Sequence, residues 1–257
     1  MFPPRVEGDL DALWRDFGAG PEVSSRDRIL LLTMVEVARV GPAAFNTRTI
    51  CADLGLSHPV IQYHFGSRDG LIAEAAHLVY VRYVDQVWAA VGLAHRTPVD
   101  RLRAALTASV RSSREIRGWG AVLNFFPFYS EPLARIVAER FQQRHEQQYL
   151  RNMTLLVQLV LDVWADRITD LLLVDEPSAE GAAVMSVLTD PAARATINRL
   201  AFGLHGLSVW RAGHVLPAEA GDEAARATED LADDLVASTV EQLIRDVMTG
   251  RPGPDRQ

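Results

Sequence analysis

From Ser24 onward the apolar residues recur at intervals of three and four, the spacing that stripes one face of an α-helix. No stretch sustains the period-two alternation of a half-buried strand, so the pattern predicts an all-α protein without a sheet. The first run puts Ile29, Leu30, Thr33, Met34, Val37 and Val40 on one face, with Ser25 as its expected cap and Gly41-Pro42 as its stop. Ahead of it, residues 1–24 are punctuated by Pro3, Pro4, Gly18, Gly20 and Pro21 and read as a partly flexible arm. Leu10, Leu13, Trp14 and Phe17 keep helical spacing even there.

Beyond residue 70 a long helix is expected to run to about Val91. Leu71, Ala75, Leu78, Val79, Val84, Val87 and Trp88 give it apolar contacts on more than one side, as suits a helix inside a bundle. Thr97-Pro98 opens another, to about Ile116. The segment Trp119–Tyr129 is rich in aromatics, and residues 132–169 read as helical with a break near Asn152. Pro177-Ser178 to Gly181 marks a loop. Asp190-Pro191 then opens a helix to Gly213, and a last helix spans Asp222–Met248; the acidic segment Glu219–Asp234 reads as the solvated face of a helix in preference to an interaction tail. Gly203 and Gly206 weaken the first of these two, which makes sense if another backbone approaches closely. Leu200, Leu204, Leu207, Leu231, Leu235 and Leu243 on this pair form the candidate dimer interface, a four-helix bundle across a two-fold axis. Residues 251–257 read as a flexible tail.

The most informative pattern is shorter. Thr47 is positioned to cap a helix over Thr47–Leu54 whose inward residues are Ile50, Cys51 and Leu54. Gly55-Leu56 makes a sharp turn. Ser57 is the expected cap of the next helix, and Pro59 sits in its first turn, where a missing N–H costs nothing. With Ile61 assigned to the core, His58, Pro59, Val60 and Gln62 remain on the outer face. A short, almost chargeless helix of this kind suits the major groove of DNA.

Charge at first argues the other way. The 257 residues carry a formal net charge of −7, whereas nucleic-acid binders usually show a basic excess. Its distribution changes the picture: residues 1–25 total −3, residues 26–70 total +1 and the remainder −5. The segment proposed to meet DNA is the least acidic part of the chain, and at physiological salt a field is screened over about 8 Å. A single cysteine, Cys51, rules out an intrachain disulfide and fits a reducing cytoplasm; it reads as a small buried core residue in preference to a redox sensor. The start of the chain lacks a signal peptide's pattern, and the apolar stretch Leu155–Trp164 is too short to span a bilayer. A cytoplasmic protein without membrane contact is expected.

Taken together, Arg28-Ile29-Leu30, Gly41, Phe45, Thr47, Ile50-Cys51-Ala52, Gly55-Leu56-Ser57, Ile61-Gln62-Tyr63-His64-Phe65 and Ser67-Arg68-Asp69-Gly70-Leu71 resemble the DNA-binding consensus of the tetracycline-repressor (TetR) family. The resemblance covers residues 25–72. Three positions depart: Gln62 stands where the family usually has Tyr, Cys51 where it often has Ala, and Arg68 where Lys is commonest. The resemblance implies a three-helix helix-turn-helix domain over residues 25–70. A helical ligand-binding and dimerisation domain over 71–250 would follow it. It implies that Arg48, His58, Pro59 and Gln62 face bases, while Thr47, Tyr63, His64 and Arg68 contact phosphates of a palindromic duplex. For His64 the bland alternative is a helix C-cap, and for Tyr63 simple packing.

The expected partners are therefore operator DNA, a second copy of the chain and an unidentified, mainly apolar effector; no cofactor, metal or catalytic residue is expected. Trp88, Trp119, Phe125, Phe126 and Tyr149 are candidate pocket residues, although aromatics at helical spacing are more often core. A regulator of the same fold with a filled core is the first alternative. A helical metalloenzyme is the remote one. Glu74-Ala75-Ala76-His77 has the Glu-x-x-His spacing of di-iron bundles, but the second pair that such a site needs is missing, so Glu74 and His77 read as a surface pair.

Overall fold

The computed structural model describes residues 24–94, 96–115, 147, 150–171, 179–213 and 222–251, and among them every regular element is helical. The chain divides into two compact units. The first comprises Met1–Tyr83 with Glu115–Gln142, the second Val84–Arg114 with Gln143–Gln257.

In the first unit, α1 (Ser25–Ala44), α2 (Thr47–Asp53) and α3 (Pro59–Phe65) precede the start of α4 (Arg68–Leu93). Their apolar faces meet in one core built from Ile29, Met34, Val37, Phe45, Ile50, Ile61, Phe65 and Leu71, among others. Cys51 is buried there too, and burial pushes its thiol above the ordinary range, which keeps it uncharged.

The caps lie one residue away from the expected ones. Ser24, not Ser25, accepts the Asp27 amide at 3.2 Å. Asn46, not Thr47, caps α2 by accepting from the Arg48 amide at 3.0 Å. His58 replaces Ser57 as the residue before α3 and makes no side-chain cap; Ser57 contributes its carbonyl to the Val60 amide instead. The expected stop at Gly41-Pro42 is a kink: Gly41 adopts φ 79°, where a Cβ is disfavoured, and a last turn continues to Ala44.

Two side-chain expectations also change. Val60 packs against the core rather than standing free on the outer face. Glu74, expected to pair with His77 at the surface, forms an ion pair with Arg26 of α1, a partner 48 residues away.

The second unit holds the end of α4, α5 (Pro98–Glu115), α6 (150–165), α7 (Ala179–Met185), a 3-10 turn (Ser186–Thr189), α8 (Pro191–Gly213) and α9 (Asp222–Thr249). Thr97 and Asp190 cap α5 and α8 through the amides of Asp100 and Ala193. From residue 150 the helix runs unbroken through Asn152, residues 148–149 lying outside the described residues, and residues 179–181 open a helix where a loop was expected. Within the helix from residue 150, Asn152 Oδ1 accepts from Trp88 Nε1 at 3.2 Å.

Residues 154–160 of α6 are all buried, so this helix is enclosed on every side. Trp164 Nε1 donates to the Val247 carbonyl of α9 at 2.7 Å. Around Asp162 lies a closed polar network. Its carboxylate faces Arg101 and accepts from the Thr169 amide and hydroxyl, while Gln158 holds Thr169 and the Asp170 carbonyl. Helices α8 and α9 pack side by side. Gly203 is explained by a side chain and not a backbone: a Cβ there would lie 2.6 Å from Leu243 Cδ2.

Candidate nucleic-acid interface

The geometry of α3 follows from two anchors. Ile61 and Phe65, four residues apart, are both buried in the core and fix which side of the helix is left open. That open side carries Pro59, Gln62 and Tyr63, all exposed. The turn before it is tight: the Leu56 amide reaches the Cys51 carbonyl at 2.8 Å, with Gly55 at φ 63° between them. At the other end Gly66 adopts φ 74° and donates to the Gln62 carbonyl, closing the helix by a left-handed cap.

Each expected contact residue has a definite place. Arg48 is exposed near the start of α2, and Tyr63 is 85% exposed, so it does not pack into the core. His64 is half-buried, its ring edge-on between Tyr63 at 4.9 Å and Phe65 at 5.9 Å. Thr47 and His58, expected to meet a phosphate and a base respectively, meet each other: Thr47 Oγ1 and His58 Nε2 are 3.2 Å apart. Thr47 is only 6% exposed, so its hydroxyl braces the two helices in the free chain.

Arg68 is similarly occupied. Its Nε donates to the Phe45 carbonyl at 3.2 Å, one Nη reaches the Pro42 carbonyl, and the other pairs with Asp69 at 2.9 Å. The guanidinium also lies 5.7 Å from the centre of the Phe45 ring. Three of its five N–H groups are committed inside the protein. Asn46, which caps α2, and Arg26, whose guanidinium lies 5.2 Å from the centre of the Phe65 ring, border this site as well and were not expected to. An Asn directly before Thr47 was the available signal for the first; nothing local marks the second.

Outside the DNA face, Trp88 is buried and bonded to Asn152, whereas Trp119, Phe125, Phe126 and Tyr149 lie outside the described residues. Leu200, Leu207 and Leu243 are covered by their own chain and Leu204 is half-buried. Leu231 and Leu235 are exposed, and so are Phe202, 75% open, and Trp210. A Cβ on Gly206, one turn from each of those two aromatics, would meet nothing within the chain. Among the described residues no cluster of His, Cys, Asp and Glu has the makings of a metal site, and no helix is long and apolar enough to cross a membrane.

No family model matches the chain. Over 134 residues it is 25% identical to the HTH-type transcriptional regulator BetI of Stenotrophomonas maltophilia (strain R551-3), a match covering 52% of this chain and 67% of that protein. A solved structure from Pseudomonas aeruginosa PAO1, described provisionally as a transcriptional regulator, aligns over 90% of this chain and 99% of its own with 21% identity and a TM-score of 0.46. The curated relative is thus named as a transcriptional regulator of the helix-turn-helix type.

Proposed function

We propose that the chain is a DNA-binding transcriptional repressor of the tetracycline-repressor type. It acts as a homodimer on a palindromic operator and is released by a small, mainly apolar ligand. The observation that carries the reading is the open side of α3: Pro59, Gln62 and Tyr63 project from a helix that Ile61 and Phe65 lock into the core. A rigid helix with a nearly uncharged outer face reads bases, while arginines beside it supply the attraction to phosphate. In this reading Arg48 and His58 flank Gln62 at the base edges, and Tyr63, His64 and the free N–H groups of Arg68 meet the backbone.

Dimerisation is supported by the open side of α8 and α9. Phe202, Trp210, Leu231 and Leu235 are apolar, exposed and contributed by two packed helices. Gly206 between the two aromatics leaves room for a second backbone to approach. Two copies joined there place two recognition helices on one duplex, about 34–36 Å apart or a multiple of that turn spacing.

Selection of bound DNA from a random pool tests the reading as a whole. A palindromic motif is expected, bound by a protein that light scattering finds to be a dimer at micromolar concentration. A monomer that binds operator tightly would overturn it. The effector is tested separately by thermal shift across a library of apolar compounds, because a ligand of the native state raises its apparent stability by mass action. A compound that raises the melting temperature and also releases the operator is the expected result.

A further inference from the structure

Arg26 touches three helices at once. It belongs to α1, its guanidinium pairs with Glu74 on the second turn of α4, and the same group lies 5.2 Å from the centre of the Phe65 ring at the end of α3. Asp27 stands 4.0 Å from its other Nη. Phe65 is fully buried and rigid within α3, so whatever fixes that ring fixes the end of the recognition helix. Glu74 is more buried than Arg26, with 17% of its side chain exposed against 41%.

We propose that Arg26 and Glu74 are positioning residues that set the angle between the recognition helix α3 and the helix α4. Through that angle they set the spacing of the two half-sites the dimer accepts. The inference rests on the DNA-binding reading above. The chemistry favours it over a merely stabilising ion pair. A guanidinium offers a planar face to the Phe65 ring and a fork of N–H groups to a carboxylate, so one side chain fixes distance and direction together. Helix α4 continues unbroken from Arg68 to Leu93. A change in how α3 hangs on its first turns therefore shifts the recognition helix against the helix it is carried on.

Neither residue is expected to touch DNA, which makes the proposal separable from base reading. The wild type, Glu74→Gln, Arg26→Lys and Arg26→Met are each carried through selection from one random pool with variable spacers, and their melting temperatures are recorded. Wild type should enrich one half-site motif at one spacing. Glu74→Gln and Arg26→Met should enrich the same half-site over a broader range of spacers, with affinity for the optimal site down about three- to tenfold. Arg26→Lys keeps the charge but loses the planar face, so its spread should be intermediate. The salt slope should not change in any of them, since no phosphate contact is removed.

Failure of the wild type to enrich any motif would sink the DNA-binding reading itself. An enriched motif with identical spacer distributions in all four proteins would sink this inference alone. So would a loss confined to melting temperature. Where Arg26→Met fails to fold, the isosteric Glu74→Gln decides.

Discussion

Two of the open surfaces among the described residues differ sharply in their chemistry. The outer side of α3 shows Pro59, Gln62 and Tyr63: hydrogen-bonding or rigid groups on a helix whose Ile61 and Phe65 are turned inward. The outer side of α8 and α9 shows Phe202, Trp210, Leu231 and Leu235, groups that gain by leaving water. A surface that reads a hydrated polyanion must stay polar when unbound, because its partner is wet and its contacts are hydrogen bonds. A surface that meets a permanent copy of itself can be apolar, since it need never face solvent for long. Both surfaces belong to helices, so the difference lies in the side chains alone.

The largest expected effect breaks the second surface without touching the first. Phe202→Asp combined with Leu231→Asp should convert the proposed dimer to a monomer, read by light scattering, with the helical circular-dichroism signal retained. Anchors at the centre of an interface are worth about 2 kcal/mol or more each. Operator binding should fall by well over tenfold, because one recognition helix then works alone. If the double variant stays dimeric, the open apolar side of α8 and α9 is not the interface.

On the DNA side, Gln62→Ala should relax the preference at one base pair in each half-site and leave non-specific affinity nearly unchanged. A glutamine paired bidentately with adenine discriminates by about 1–3 kcal/mol. Gln62→Tyr should shift the preference instead of abolishing binding. Identical enriched motifs for wild type and Gln62→Ala would show that Gln62 reads no base.

Arg68→Ala has two consequences, and the structure makes the first the more direct. Losing the bonds to the Pro42 and Phe45 carbonyls should destabilise the protein by about 1–2 kcal/mol, discounted for a guanidinium that is two-fifths exposed. If its remaining N–H groups reach a phosphate, the salt slope of binding should flatten by roughly one unit as well. An unchanged slope with a lowered melting temperature would make Arg68 a brace only.

Legibility divided along the same line. Local spacing located α2, the turn and α3, and it assigned Ile50, Cys51, Ile61 and the outward side of Gln62. These depend on periodicity and on a glycine turn, both written within a few residues. The caps slipped because each site offers two adjacent candidates, Ser24-Ser25, Asn46-Thr47 and Ser57-His58. At the second of these a tertiary contact accompanies the choice: the Thr47 hydroxyl lies against His58 while Asn46 caps. Likewise Glu74 carried a local pattern with His77, yet its partner is Arg26, and no local rule finds a partner 48 residues away. In the second unit the C-terminal helices were legible and their apolar residues were found, but not which way each one faces. Leu200, Leu207 and Leu243 turn into the chain while Leu231 and Leu235 turn out. A helix with apolar residues on two sides does not declare which side its own core takes.

The smallest expected effect tests whether polar fastenings matter in the second unit. Arg103 of α5 and Glu241 of α9 are joined by two hydrogen bonds, one of them from Nη2 to Oε2 at 3.2 Å. The hydrogen bonds from Arg103 hold the Glu241 carboxyl below its ordinary range, against a smaller opposing effect of burial. A carboxyl with a depressed folded-state pKa contributes stability above its unfolded pKa, and that contribution disappears as pH falls through the folded value. Wild type should therefore exceed Glu241→Gln in stability at neutral pH, and the gap should close as pH falls below about 4, near the ordinary glutamate value. The pair is roughly two-fifths exposed on both partners, so solvent screens it and the gap should be only a few tenths of a kcal/mol. Urea melts of the two proteins at pH 7 and at the lowest pH where both remain folded measure the difference directly. High salt should shrink the gap at pH 7 in the same way. A gap that persists unchanged at low pH would mean that the charge of Glu241 is not what separates the two proteins.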